Sequence, residues 1–255
     1  MKKKNISTLM KIFNKVLKGQ NLEEINIQNL NNKIWKEIVL KKIRKNQKNF
    51  NLVISSSILP LLFSLEFLKK KFKILDYGSG SMDVYFELNA LLKNLNIKYK
   101  KKSKQIYLDM VELPVILDIY KKIKFSSYFK CKFFDNFKMK KYDVIYISNT
   151  LHYINKPEKL IKLFIKSKSK YIIINSTRIN KTKKFITLQK FYKYKIPTWF
   201  FDEKYLVSLF KKKYDLIFSS DYLDTYLGKR QEIPMKNFQK KYRLKNTKTL
   251  IFKKK

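Results

Sequence analysis

Between about residues 72 and 180, short apolar runs alternate with stretches of helical period. KILDY (73–77) is a β-type run ended by glycine, and residues 84–92 follow with helical spacing. Residues 106–111 form the next apolar run. Pro114 then stands where a helix can begin, since proline's missing N–H is not needed at the first helical position. Residues 130–134 make a weaker run and YDVIYIS (142–148) a strong one. Pro157 opens a helix over 158–165, and YIIIN (171–175) is again a strand. Strand and helix in turn predict right-handed crossovers and a parallel sheet. Near-continuous apolar strands predict that both faces of the sheet are covered.

The flanks differ. Residues 1 to about 70 read as helices, an extension or cap in front of a domain spanning 71–255. The clearest segment is IWKEIVLKKI (34–43), where Ile34, Trp35, Ile38, Val39 and Ile43 share one face. LVISSSILPLLFSLEFL (52–68) is short for a membrane span, and Ser55, Ser56, Ser57, Pro60 and Glu66 interrupt it. A buried helix or pocket cover is the better reading. Residues 181–255 read as a loop, a helix and a final strand pair.

Composition supports a packed core. The chain has 255 residues, of which 45% are hydrophobic and 15% aromatic, so global disorder is excluded despite a net charge of +40. Of the 59 basic residues only Arg44, Arg178, Arg230 and Arg243 are arginine, the residue type that specifies bases and fixes phosphates. The lysines are spread over the whole chain. That pattern looks more like drift in an AT-rich genome than like a selected polyanion surface. Either origin gives non-specific binding to RNA or anionic lipid at low salt. Cys131 is the only cysteine, which rules out an internal disulfide and fits a reducing, cytoplasmic compartment. With His152 the only histidine, a zinc centre is excluded. The basic start lacks the apolar core and cleavage site of a secretory signal.

The sharpest chemical signal is ILDYGSGSMDVYF (74–86): a strand runs into Asp76, then Gly78-Ser79-Gly80, then a helix. Glycines at this turn let the backbone bend tightly and approach a ligand beyond the carboxyl end of the strand. The next strand ends in Glu112, an acid able to accept hydrogen bonds from both ribose hydroxyls of a nucleoside. Alternatively Glu112 is a solvated strand-end carboxylate. A dinucleotide would want GxGxxG, but the third position here is Asp83, which would repel a pyrophosphate at the helix N-terminus. S-adenosylmethionine has no phosphate and carries an ammonium group. Asp76 and Asp83 suit that cationic end, although Asp83 also reads as a first-turn carboxylate that the helix dipole favours.

This order of motifs resembles the class I S-adenosylmethionine-dependent methyltransferases. More narrowly, it resembles a methyltransferase family associated with bacterial surface-polysaccharide gene clusters. The resemblance runs from about Trp35 to the C-terminus. It is carried by ILDYGSGSMDVYF, MVELP (110–114), DVIYISNTLHYI (143–154), IINSTRI (173–179) and, most narrowly, ITLQKFYKYKIPTWFFDEKYL (186–206). Two features depart from it: the GSGS turn holds fewer glycines, and His152 stands where glutamine is common. The resemblance implies a Rossmann-like α/β sheet, mostly parallel with an antiparallel C-terminal strand, and S-adenosylmethionine as cofactor.

By the same resemblance Asp135 lies beside the adenine. Ser148, Asn149 and Thr150 end the fourth strand beside the methyl group, or are ordinary turn residues. Asp76, Gly78, Ser79, Gly80, Glu112, Asp135 and Ser148 are thus the candidate cofactor residues, and Asn149 and His152 the catalytic candidates. The unperturbed pKa of a histidine suits proton removal near neutrality, so His152 reads as a general base, or else only lines a pocket. Gln189, Trp199 and Phe200, with Phe201, form an amide and aromatic cluster that either shapes a substrate pocket or packs the C-terminal core.

The favoured function is O-methylation of a small molecule or sugar. RNA methylation is the runner-up, encouraged by the lysines. Base-modifying amino-methyltransferases, however, carry an Asn/Asp-Pro-Pro-aromatic motif where this chain has Ser148-Asn149-Thr150-Leu151. A cofactor-binding or structural module without catalysis is the third reading.

Overall fold

The computed structural model describes residues 13–17, 33–48, 71–94, 105–191, 194–223, 225–226, 229–230 and 232–255. The stretch 52–68 lies outside the described residues. Seven strands form one sheet in the order β10-β13-β6-β5-β2-β3-β4. Its members are β2 (Lys71–Tyr77), β3 (Gln105–Val111), β4 (Phe129–Phe134), β5 (Val144–Ser148), β6 (Tyr171–Thr177), β10 (Tyr214–Tyr222) and β13 (Thr247–Lys254). The last strand in sequence, β13, runs antiparallel to both β6 and β10. A mostly parallel sheet whose final strand is inserted antiparallel is the Rossmann-like, methyltransferase-like arrangement that the sequence led us to expect. The chain divides into two compact units, Asn31–Ile147 and Met1–Leu30 with Ser148–Lys255.

In Asn31–Ile147, β2 is the first strand of the sheet in sequence and pairs in parallel with β3 through all seven residues, from Lys71↔Gln105 to Tyr77↔Val111. It also pairs in parallel with β5, and β3 with β4. The burial of β2 alternates at first and then becomes continuous: Ile74, Leu75 and Asp76 are all buried. Strands covered on both faces need such apolar runs. Helix α2 (Asp83–Asn94) follows β2, and its residues Val84 to Leu88 are buried in succession. Helix α3 (Pro114–Tyr120) starts at its proline, as the sequence predicts. Helix α1 (Lys33–Lys48) contains the predicted 34–43 segment and buries Val39 and Ile43.

In the other unit, a second sheet has the order β1-β8-β9-β7. Its strands are β1 (Phe13–Leu17), β7 (Ile179–Asn180), β8 (Phe185–Phe191) and β9 (Tyr194–Asp202). Two expectations are corrected here. Within the segment read as helical, Phe13–Leu17 is a strand, antiparallel to β8. Where a loop was expected at the start of 181–255, β8 and β9 form an antiparallel hairpin from Phe185↔Phe200 to Phe191↔Tyr194. Polar residues on the inner face hide the alternation: Thr187, Gln189 and Thr198 are buried among the apolar positions. Phe13, Phe185, Phe200, Ile233, Met235 and Phe238 close an apolar cluster around the hairpin. Phe185 stacks on Phe200 with centroids 4.8 Å apart, and Phe13 meets Phe200 edge-on at 5.7 Å. Helix α4 (Pro157–Lys166) again opens on its proline. Helix α5 (Glu203–Phe210) is capped by Asp202, which accepts the Tyr205 N–H at 2.9 Å.

Candidate functional site

The turn after β2 is built from residues that accept left-handed backbone. Gly78 has φ +75° and Gly80 φ +49°. Gly78 N–H donates to the carbonyl of Val111, the last residue of β3, at 2.8 Å. Ser79 Oγ donates to the Asp76 carbonyl at 2.8 Å and braces the turn from below. Gly80 N–H donates to Glu112 Oε1 at 3.0 Å, and Glu112 Oε2 accepts the N–H of Leu113. The predicted glycine bend and acid thus meet at the carboxyl ends of two adjacent parallel strands. Among the described residues, an added Cβ at Gly80 would find nothing nearer than Gly78 O at 3.9 Å. Space beside the turn is open, so glycine is needed there for its φ.

Asp76 lies 3% exposed at the foot of this turn, and its Oδ2 has no hydrogen-bond partner among the described residues. Burial pushes its carboxyl well above the usual carboxylate range. Ser79 opposes that rise, while Asp83, Glu112 and Glu87 add to it through their charge. Burial also raises Glu112, against the two backbone N–H groups that hold it down. A buried carboxylate with one oxygen unsatisfied, among other acids, favours a cation over a phosphate. Asp83 itself is exposed and accepts Ser81 Oγ at 2.8 Å and Asn46 Nδ2 at 3.1 Å, so it acts as a first-turn helix carboxylate. Asp135 is exposed and accepts Asn136 Nδ2 at 2.8 Å. It follows Phe134, whose carbonyl takes the Glu112 N–H at 3.0 Å.

The residues predicted from the second unit form a different constellation. Ser148 Oγ accepts Asn175 Nδ2 at 3.0 Å, and Asn149, with φ +49°, donates its N–H to the Asn175 carbonyl at 3.1 Å. His152 is wholly buried, and neither ring nitrogen has a hydrogen-bond partner among the described residues. Burial, reinforced by the Arg178 charge, holds its pKa well below the ordinary histidine value. Its ring lies 4.2 Å from that of Tyr153. Gln189 Oε1 is a hub. It accepts Tyr153 Oη at 2.8 Å, Arg178 Nη2 at 3.1 Å and Thr198 Oγ1 at 3.4 Å. Arg178, 1% exposed, faces the rings of Phe13 at 5.0 Å and Tyr153 at 5.3 Å. Trp199 is partly exposed, donates Nε1–H to the Ile154 carbonyl at 3.0 Å and carries Lys184 Nζ 5.1 Å over its ring. Phe200 is fully buried in the apolar cluster.

Sequence reasoning missed Tyr120, Tyr153 and Arg178. For Tyr120 the only signal was a tyrosine one turn past Ile116 on the apolar side of α3. For Arg178 it was a lone arginine just past the apolar run 171–174 in a lysine-dominated chain. Among the described residues no group of three His, Cys, Asp or Glu side chains is placed to hold a metal ion. Nor is any helix there long and apolar enough to cross a membrane.

No protein-family model matches the sequence, and no curated protein matches it. Solved structures similar to this chain include an S-adenosylmethionine-dependent methyltransferase from Mesorhizobium loti. It is 10% identical, with 81% of this chain and 100% of that chain covered and a TM-score of 0.46. A magnesium protoporphyrin IX methyltransferase from Synechocystis PCC 6803, solved with S-adenosylhomocysteine, is 7% identical over 90% of this chain and 100% of that one, with a TM-score of 0.47. Loganic acid methyltransferase with S-adenosylhomocysteine is 9% identical over 86% and 92%, with a TM-score of 0.46. These are distant likenesses, and it is the strand order that identifies the sheet.

Proposed function

We propose that this chain is an S-adenosylmethionine-dependent methyltransferase acting on a small molecule or sugar, with O-methylation favoured. The observation that carries the reading is the Gly80 N–H to Glu112 Oε1 bond across the ends of β2 and β3, with Asp76 below it, whose Oδ2 has no partner among the described residues. A carboxylate offers about four acceptor sites. Two of Glu112's are taken by Gly80 and Leu113, which leaves acceptors for two ribose hydroxyls. Asp76 suits the ammonium of the cofactor's amino-acid end. No atom of the described residues lies nearer than 3.9 Å to a Cβ added at Gly80, which lets the backbone of the Gly78-Ser79-Gly80 turn approach it closely there. Asp135 is assigned to the adenine side and Ser148 to the sulfonium side.

When bound, the cofactor supplies an electrophilic methyl group on a sulfonium. The chain's part is to orient it and to exclude water from the reacting atoms. On the acceptor side the proposal keeps Asn149, His152, Gln189, Trp199 and Phe200. Held neutral by burial, His152 can accept a proton from a hydroxyl without first losing one. Trp199 has exposed surface for an acceptor and stacks with Phe201 at 6.4 Å, while Phe200 packs in the apolar cluster. The narrower kinship with the polysaccharide-associated family belongs to this proposal and rests on residues 186–206.

Incubation with methyl-labelled cofactor and a panel of sugar nucleotides, free sugars and total RNA tests the acceptor class. Label in a sugar or another small hydroxylated molecule is the expected result. Label in RNA alone would replace this reading with the nucleic-acid one, and bound cofactor with no transfer to any acceptor would favour a non-catalytic module.

A further inference from the structure

The Gly80 peptide is held on both sides. Its N–H is taken by Glu112 Oε1 at 3.0 Å, and its carbonyl accepts the phenol of Tyr120 at 2.7 Å. Tyr120 is the last residue of α3 and is 0% exposed. Its ring packs against Phe133 of β4 with centroids 5.6 Å apart, so the phenol is delivered from a fixed position. Burial raises the pKa of that phenol well above the usual tyrosine value, with the charges of Glu112, Asp76 and Asp83 adding to the rise. It therefore stays a donor at any physiological pH.

We infer that Tyr120 is a positioning residue for cofactor binding: through Gly80 it fixes the aim of the Glu112 carboxylate. This rests on the proposed cofactor reading. A glycine at φ +49° has more freedom to lose than any other residue, and nothing in its own side chain holds it. Glu112 depends on the Gly80 N–H to keep one oxygen in place. The direction of that N–H depends on the flanking peptide, which Tyr120 ties to α3. Without the phenol the carboxylate must be ordered at the moment of binding, and affinity falls accordingly. The ring itself touches no part of the cofactor in this account, so the effect is transmitted and not direct.

The matched control is Tyr214. It too is a buried tyrosine whose phenol donates to a backbone carbonyl, that of Ser169 at 2.8 Å, and it belongs to the other compact unit. Tyr120→Phe and Tyr214→Phe each remove one such bond and keep the ring. Calorimetric titration with S-adenosylhomocysteine is made at a temperature where circular dichroism shows every variant folded. Tyr120→Phe should raise the Kd about three- to tenfold, the size of one buried hydrogen bond. Tyr214→Phe should leave it within threefold. In a double-mutant cycle with Glu112→Ala, Tyr120→Phe should change nothing further, because its effect passes through Glu112.

A change below threefold in Tyr120→Phe, an equal loss in Tyr214→Phe, or full additivity with Glu112→Ala overturns the inference while the cofactor reading stands. Failure of the wild-type protein to bind S-adenosylhomocysteine removes the reading and this inference with it.

Discussion

Two of the buried polar clusters among the described residues are built from opposite charges. In Asn31–Ile147 the cluster is acidic: Asp76 and Glu112 sit at the ends of neighbouring strands, pushed up by burial, and an oxygen of Asp76 has no partner among the described residues. In the other unit the cluster is centred on a cation. Arg178 is held by Gln189 and Tyr153, and the histidine beside it is driven neutral. The acidic cluster is unfinished in a way that a bound ammonium and two hydroxyls would complete. The cationic one spends a single amide oxygen on three donors and is walled by Phe13, Tyr153 and Phe200. Both clusters keep unmet capacity among the described residues, an Asp76 oxygen in the one and the two His152 nitrogens in the other, but only the acidic one has the charge to hold an ammonium.

The sharpest way to break this contrast is Phe200→Ala. Phe200 lies wholly inside the apolar cluster, so truncation should cost about 3–5 kcal/mol of stability in a urea melt. The Kd for S-adenosylhomocysteine should stay at the wild-type value wherever the variant is folded. A stability loss below about 1 kcal/mol would show that the hairpin face is open and not core.

A smaller effect comes from His152. Its folded pKa is depressed, so the unfolded chain binds a proton near the ordinary value of about 6.5 that the folded chain refuses. Stability should therefore fall as pH drops below that value, by up to about 1.4 kcal/mol per pH unit from this group. His152→Gln should flatten that slope between pH 7.5 and 5. As the only histidine, its imidazole resonances report its charge directly, and a ring that titrates at the ordinary value in the folded protein would contradict the burial argument.

The smallest effect is a fraction of a proton at Asp76. Its raised pKa means the folded protein holds a proton there above the ordinary carboxylate range. A neighbouring ammonium pulls that pKa back down, so cofactor binding should release protons and tighten as pH rises through the raised value. The binding heat should depend on the ionisation heat of the buffer in the wild-type protein and much less in Asp76→Asn.

Most of the sheet was legible because parallel strands covered on both faces must be apolar, and β2, β3, β5 and β6 each show such a run. The acidic half of the site was legible for a related reason. A glycine turn between a strand and a helix, with an acid ending the next strand, is a local pattern. The hairpin of β8 and β9 was not, because Thr187, Gln189 and Thr198 occupy inner positions where polar residues are unusual, and the partners that account for Gln189, Arg178 and Tyr153, lie outside the hairpin. Strand β1 escaped because its pairing with β8 joins segments more than 150 residues apart, from Phe13↔Gln189 to Leu17↔Ile186. Tyr120 escaped because its role is a bond to a backbone atom 40 positions earlier in the chain, which no residue type announces.

Titration of the wild-type protein and Glu112→Ala with S-adenosylhomocysteine goes to the centre of the account. The wild-type protein should bind one equivalent, and the variant, having lost a charged acceptor for two hydroxyls, should bind roughly 100-fold more weakly. A wild-type chain that gives no binding at any attainable concentration would contradict the claim that the acids at the ends of β2 and β3 form a nucleoside site.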